Sequence, residues 1–359
     1  MSEGRAIRIL GIETSCDETA IGIVENGRRI LSNAVASSMI LHAPYGGVIP
    51  EIAARLHVET IWEVMTQALA EASLASEELD AIAVTQGPGL PGALLIGLAF
   101  AKGLALSLGR PLIPVDHLAA HLYAGEMTDE TLEPPYVGLV VSGGHTVLCV
   151  THGEGRFEVL GETRDDAVGE AFDKVAALLG LGYPGGPVID RLSNEGRPSA
   201  VALPRTQTKG ALDFSFSGLK TAVYNHIKKH NGVAQGSGLR AQGEDPEPTA
   251  PSPERLSVAD IAASFQEAAV DMLVTKTLRA CQRTGMKRVV VGGGVASNRR
   301  LRAKFAEAGA AHALTVVFPP PRLCVDNGAM VAGMGYPLLR LGRVASLAMA
   351  SDPNLCLTS

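Results

Sequence analysis

His117 and His121 stand at i and i+4 in DHLAAHLYA, a stretch that reads as a helix. Such positions lie one above the other on a single helix face, so two imidazoles there can converge on one cation. The spacing is common by chance, and the chain carries its own control. His226 and His230 in NHIKKH share it but flank two lysines, whose charge opposes a cation. The first pair sits in an apolar context after a strand end and is better placed. Two ligands rarely suffice, and Asp326 in LCVDNGA, at a strand–loop–helix junction, is the candidate third donor. Its competing reading is a helix N-cap. A zinc peptidase of the H-E-x-x-H kind needs a glutamate beside the first histidine as general base, and that position holds Leu118.

Three glycine loops could cradle an anion: SGGH (142–145), YPGGP (183–187) and GGGVASN (292–298). Glycine lets backbone N–H groups approach a phosphate, and a following helix adds a favourable dipole. Each alone reads equally as a turn; three at strand ends point to a nucleotide cleft. None matches G-x-x-x-x-G-K-[ST], which excludes a P-loop enzyme. Carboxylates gather at the loops: Asp17 and Glu18, Asp173 in EAFDK, and Asp190 in VIDR. They suit ribose hydroxyls, a metal or an ammonium group, although each alone reads as well as a cap or a surface charge. Lys220–His230 and Arg299–Lys304 are the basic stretches available to RNA, with solvated helix faces as the plainer reading.

The elements that must position these residues follow from periodicity and turn chemistry. Residues 7–31 read as strand, polar loop, strand, then an Asn26-Gly27 turn into RRIL. YVGLVVSGGHTVLCVTHGEGRFEVLG repeats the pattern, aligning Gly11 with Gly138, Ser15 with Ser142 and Thr19 with Thr146. The duplication predicts two related lobes whose strand-end loops face a shared cleft. Between the copies lie a buried strand (81–85), a Gly/Pro loop, a helix ending at Gly109, the strand PLIPV, and Asp116 as cap of the histidine helix. The second half alternates helices, Gly/Pro loops and strands. Its last helix starts near Asp326 and could return to close the first lobe. Asn231–Glu254, rich in Gly, Pro, Ser and Glu without periodicity, reads as a disordered surface loop.

A chain of 359 residues accommodates about two domains. Its 46% hydrophobic, aromatic-poor composition favours α/β layers over an all-β sandwich. The net charge of −6 argues against nucleic acid unless a local basic patch exists. The cysteines (Cys16, Cys149, Cys281, Cys324, Cys356) are odd in number and widely spaced, which argues against a disulfide framework or thiolate zinc site. The N-terminal stretch meets acidic residues too early for a secretory signal, and Leu90–Leu108 is too short and broken for a membrane span. A cytoplasmic location and no membrane partner are the expectation.

Together, GIETSCDETA (11–20), GGVIPEIAARLH (46–57), QGPGLPGALLIGL (86–98), DHLAAH (116–121), LVVSGGHT (139–146), DDAVGEAFDKVA (165–176), GYPGGPVID (182–190), DFSFSGLKTAV (213–223), VGGGVASNRRLR (291–302) and CVDNGAM (324–330) resemble the bacterial TsaD (Gcp) family. Its members are tRNA N6-adenosine threonylcarbamoyltransferases, formerly described as O-sialoglycoprotein endopeptidases. The resemblance spans nearly the whole chain outside 231–254 and the extreme termini. It implies duplicated ribonuclease-H-like lobes of the actin/Hsp70/sugar-kinase (ASKHA) type. Residues 1–125 would form the N-terminal lobe, closed by a helix at about 328–345, and 126–327 the C-terminal lobe.

The resemblance further implies one divalent metal ion per subunit, iron before zinc, on His117, His121 and Asp326. The adenylate site would comprise Val140, Val141, Ser142, Gly143, Gly144, Asp173, Gly186, Asp190 and Asn298. The reaction implied is metal-dependent transfer from threonylcarbamoyl-adenylate to N6 of the adenosine 3′-adjacent to the anticodon, in tRNAs reading codons that begin with A. TsaB-like and TsaE-like proteins would be partners. TsaB-like proteins resemble the first lobe without the histidines, so His117 and His121 would mark the catalytic member. Asp17 is the candidate for assisting the attacking amine. The rivals are a metallopeptidase, an ATPase or kinase of the same fold, and a non-catalytic scaffold.

Overall fold

The structure, a computed structural model, describes residues 5–153, 155–205, 212–234 and 256–357, with the backbone only at 230–234. Three antiparallel strands, β1 (Arg8–Glu13), β2 (Glu18–Glu25) and β3 (Arg29–Ser37), open the first sheet. The apolar, β-branched character of β1 and β2 suits strands buried on both faces. The hairpin from β2 to β3 turns at Asn26 and Gly27, with φ of 52° and 75°, the handedness that matches strand twist. The short helix α1 (Met39–His42) and the long α2 (Pro50–Ala72) follow. Then β4 (Ala81–Gly87), α3 (Pro91–Leu108) and β5 (Leu112–Asp116) complete the order β3-β2-β1-β4-β5, with β4 and β5 parallel to β1. Helix α4 (His117–Thr128) leaves β5 directly.

The second sheet repeats this plan. Antiparallel β6 (Tyr136–Val141), β7 (Thr146–Gly153) and β8 (Arg156–Glu162) are joined by parallel β9 (Arg288–Gly292) and β10 (Thr315–Val317), in the order β10-β9-β6-β7-β8. Gly11 and Gly138 lie mid-strand in β1 and β6, and Ser15 and Ser142 in the equivalent connecting loops. Between β8 and β9 run α5 (Val168–Leu178), α6 (Gly185–Leu192), α7 (Ser217–Ala234) and α8 (Val258–Thr284). Helix α9 (Arg299–His312) separates β9 from β10, and α10 (Pro321–Cys324) and α11 (Gly328–Arg340) close the chain. Helix α7 occupies the first residues of the stretch read from sequence as a disordered loop; the rest of that stretch lies outside the described residues.

Two helices fill the space between the sheets. Helix α11 lies backbone to backbone on β1 and β2: a Cβ on Gly11 would meet Ala332 N at 2.2 Å, and one on Gly22 would meet Ala329 N at 2.3 Å. Helix α4 touches the second sheet, where a Cβ on Gly138 would reach Leu122 and one on Gly125 would reach Val290. One continuous apolar cluster joins Ile9 and Val115 of the first sheet, Leu118 and Leu122 of α4, Val140 and Val290 of the second sheet, and Met330 of α11. Helix α4 is therefore buried on all sides, which explains its unperiodic apolar sequence. Burial of a leucine such as Leu118 or Leu122 contributes roughly 1.5–3 kcal/mol. Helix α3 is long and apolar enough to cross a membrane by length and composition. Here its Leu98, Ala101 and Ala105 face the first sheet's outer core.

Candidate metal centre and nucleotide cleft

The histidine helix is set by its cap. Asp116 Oδ1 accepts the N–H groups of Leu118 and Ala119 at 2.8 and 2.9 Å, a cap worth about 1 kcal/mol. Burial lifts its carboxyl to about 6 against the pull of those bonds. One turn of α4 then places the His117 and His121 rings 4.6 Å apart between centroids.

Asp326 reaches them from the turn before α11. That helix is capped by Asn327, whose Oδ1 accepts Met330 N–H at 2.9 Å, and not by Asp326. The aspartate is thereby released from the cap role that the sequence left open. Its Oδ1 lies 3.1 Å from His121 Nε2 and 3.6 Å from His117 Nε2. One donor atom from each of the three residues falls within 4.8 Å of the other two.

Glu13, which sequence reasoning passed over, completes the arrangement. It is fully buried at the end of β1, with Oε2 2.9 Å from His117 Nδ1 and 2.6 Å from Thr85 Oγ1. A carboxylate only accepts, so Nδ1 carries a proton, and Nε2, on the side of Asp326, is the nitrogen that can face a cation. The available signal was a lone carboxylate closing the apolar strand RILGIE.

The electrostatics fit a cation. Burial opposes charge on His117, but the carboxylates of Glu13 and Asp326 outweigh it and lift its pKa to about 9. Burial also opposes charge on Asp326, which His117 and then His121 hold down at about 2. Burial lowers the pKa of His121. His121 is fully buried, and among the described residues neither ring nitrogen makes a well-directed hydrogen bond, although Nε2 is close to Asp326. A buried imidazole so poorly hydrogen-bonded is costly unless something else takes its lone pair. Two imidazoles and a carboxylate are a donor set for ferrous iron or zinc.

The loop after β6 forms a tight turn. Ser142 N–H donates to His145 O at 2.9 Å, and Ser142 Oγ accepts His145 N–H at 3.0 Å. Gly169, at the start of α5, packs on this turn so closely that a Cβ would meet Ser142 O at 2.5 Å. Gly143, Gly144 and Gly186 are different: among the described residues a Cβ there meets nothing within 4 Å, and none of the three has positive φ. Neither packing nor backbone conformation explains glycine at these three positions, whereas close approach of a ligand would. Val140 and Val141 are buried strand residues, and Val141 O abuts Gly293 of the third glycine loop. The loop carries His145 toward the three donors: burial and the charges of His117 and His121 lower its pKa to about 4.

Asp173 projects from α5 and accepts Gly185 N–H at 2.7 Å, which ties α5 to the start of α6. Burial raises its pKa, and Asp17, across from it on the first-lobe loop, adds to the rise. Asp17 likewise acts on Tyr183 and on Glu18, whose carboxyl is raised to about 9 by burial, then by Asp326 and Asp17. Thus Asp17, Asp173, the SGGH turn and the three donors gather in one region. Asp190 and Asn298 stand differently. Asp190 Oδ2 accepts Arg299 Nε–H at 2.8 Å. Asn298 caps α9 through Leu301 N–H at 2.9 Å and donates to Gln266 Oε1 at 2.7 Å.

The stretch Arg299–Lys304 is not an open basic patch. Besides Arg299 with Asp190, Arg300 pairs with Glu267 and Glu307, and Lys304 with Glu267 and Asp271. Arg302 donates to Ala296 O and Pro319 O. On α7, Lys220 pairs with Asp166, while Lys228 and Lys229 are exposed. The side chain of the control residue His230 lies outside the described residues.

A family model described as "TsaD: tRNA N6-adenosine threonylcarbamoyltransferase" matches residues 29–333. A tRNA N6-adenosine threonylcarbamoyltransferase of Clostridium novyi is 47% identical over 351 residues, covering 97% of each chain. One from Anaeromyxobacter dehalogenans is 50% identical over 348 residues, covering 96% of this chain and 98% of its own. Among solved structures, T. kodakarensis HypF superposes with a TM-score of 0.59 at 18% identity, over 94% of this chain and 48% of that one. Component A of the Acidaminococcus fermentans (R)-2-hydroxyglutaryl-CoA dehydratase gives 0.52 at 15% identity, over 92% and 98%. These two likenesses concern the fold, the two-lobed ASKHA type.

Proposed function

The chain belongs to the TsaD family of tRNA N6-adenosine threonylcarbamoyltransferases, and from that premise we propose that His117, His121 and Asp326 hold its catalytic metal beside an adenylate cleft. The enzyme transfers a threonylcarbamoyl group to N6 of adenosine in tRNA. The observation that carries the proposed site is the convergence of two buried imidazoles and a carboxylate next to glycines with open space at their α-carbons.

The donor is threonylcarbamoyl-adenylate and the acceptor the adenosine 3′-adjacent to the anticodon. An exocyclic amine is a weak nucleophile, so holding it against the carbonyl supplies much of the rate. A divalent metal, iron before zinc, acts when bound as a Lewis acid that polarises the threonylcarbamoyl group. The residues do the rest. Glu13 keeps the proton of His117 on Nδ1, and Asp326 brings negative charge to the same point. Backbone N–H groups at Gly143 and Gly144 hold the adenylate phosphate as it departs, while Gly186, whose own N–H turns to Asp173, leaves room for the nucleotide. Asp173 and Asp190 meet the ribose, and Asn298 orders the third glycine loop by capping α9. Asp17 accepts a proton from the amine or orients it. Residues 1–125 with α11 make one lobe and 126–327 the other, with the site between them.

The partners are proteins of the TsaB and TsaE kinds, and the location is the cytoplasm. Val58 and Trp62 on α2 and Leu95 and Leu106 on α3 are all more than half exposed. Trp62 packs edge-on against Phe100 of α3, so the patch joins both helices. Such an apolar face suits a partner protein.

The test is reconstitution of the purified chain with partners, tRNA and threonylcarbamoyl-adenylate, followed by nucleoside mass spectrometry. Threonylcarbamoyladenosine that vanishes in His117→Ala, His121→Ala and Asp326→Ala supports the site. Full modification by these variants would reduce the trio to structural residues.

A further inference from the structure

The loop that carries Asp17 is gripped from behind by two buried histidines that none of the chemistry above uses. His57, on α2, is 1% exposed, and its Nε2 lies 3.0 Å from Cys16 O. A carbonyl accepts only, so Nε2 carries the proton and Nδ1 accepts from Thr19 Oγ1 at 2.8 Å. His42, fully buried at the end of α1, accepts Ile49 N–H on Nδ1 at 3.2 Å. Its other nitrogen therefore donates to Ser38 Oγ at 3.0 Å, and Ser38 Oγ donates onward to Asp17 O at 2.7 Å. Ser38 N–H reaches the same carbonyl at 3.1 Å, and Leu90 N–H holds Ser15 O at 2.8 Å. Three consecutive carbonyls are thus tied into the first lobe.

Buried carbonyls need donors, and here two of the three are met through buried imidazoles, directly or by way of Ser38. A ring donor is stiff, and each ring is itself fixed at its second nitrogen. We propose that His57 and the Ser38–His42 pair are positioning residues: they anchor the Cys16 and Asp17 carbonyls so that the Asp17 carboxylate is presented to the cleft opposite Asp173. The proposal rests on the assignment of Asp17 as the residue that assists the amine, and its test separates the two.

The variants are His57→Leu, which removes the donor, and His57→Gln, whose amide nitrogen can reach the place of Nε2. Two readouts are taken on the metal-loaded enzyme with its partners: single-turnover transfer at saturating tRNA and adenylate, and amide hydrogen exchange. The expected result for His57→Leu is a roughly tenfold slower transfer with wild-type metal content and unchanged adenylate affinity. Exchange speeds up at residues 15–19 while the second lobe stays protected, and His57→Gln recovers most of both. The clamp is overturned if exchange at 15–19 does not respond, if the glutamine fails like the leucine, or if metal content and the melting temperature collapse together. Asp17→Asn is the separating control. Full turnover in that variant alongside faster exchange in His57→Leu removes the role of Asp17 and leaves the clamp standing.

Discussion

Glu13 Oε2 and His117 Nδ1 meet at 2.9 Å across 104 residues of sequence, wholly inside the protein. The contact couples the end of β1 to the first turn of α4. A carboxylate behind a ligating imidazole fixes its tautomer and raises its basicity, and loss of such a partner costs about 10–100-fold in metal affinity. Glu13→Ala should therefore lower affinity for ferrous iron or zinc by that factor, measured by competition with a chelator. Glu13→Gln should fall between the two, because an amide still accepts from Nδ1–H. Equal affinity in all three proteins would remove Glu13 from the site.

The glycines of the cleft divide into two kinds, and alanine should separate them. Gly143→Ala and Gly186→Ala add a Cβ that meets nothing within 4 Å. They should leave the melting temperature within about 1 °C and weaken AMP binding by roughly tenfold, read by calorimetry. Gly169→Ala puts its Cβ 2.5 Å from Ser142 O. It should destabilise the protein by about 1–3 kcal/mol as the backbone gives way. Uniform behaviour of the three variants would mean that the open glycines are not reserved for a ligand.

Glu267 offers a pH-dependent stability. It accepts from Arg300 at 2.6 and 2.9 Å and from Lys304 at 2.6 Å. The Arg300 bonds, then Lys304, hold its carboxyl at about 2 against burial. A folded pKa below the unfolded value of about 4.3 stabilises the fold above the unfolded value. That contribution declines as pH falls toward the folded pKa. Glu267→Gln should melt about 1–3 °C below wild type at pH 7. The two curves should converge as the pH approaches 2. A gap that stays constant from pH 7 to pH 3 would show that the loss is packing and not charge.

Trp62→Glu should leave the metal content of the isolated chain unchanged and lower its melting temperature by only a few degrees, since the side chain is 65% exposed and loses one edge-on contact with Phe100. It should weaken association with the proposed TsaB-like partner by roughly tenfold or more, read by analytical ultracentrifugation. Unaltered association would move the partner to another face.

Much of this was readable from sequence because the signals are local. The i, i+4 histidines, the Asp116 cap and the Asn26-Gly27 turn each lie within a few residues of their effect. The duplication was visible because Gly11 and Gly138 sit at equivalent places in equivalent strands. What escaped depends on distant partners. Glu13 looked like any strand-end carboxylate until α4 brought His117 to it. Arg299–Lys304 looked basic until α8 supplied Glu267 and Asp271. The neighbours Asp326 and Asn327 both suit an N-cap, and only the geometry of α11 assigns the cap to Asn327 and releases Asp326.

The most direct test is a metal titration of single-turnover transfer, using metal-free enzyme with its partner proteins, tRNA and threonylcarbamoyl-adenylate. The expected result is a transfer rate that rises in proportion to bound metal, saturates at one ion per chain, and stays at baseline in Asp326→Ala, which also fails to retain the ion. Transfer by the metal-free wild type at the saturated rate, or full metal retention by Asp326→Ala, would contradict the site.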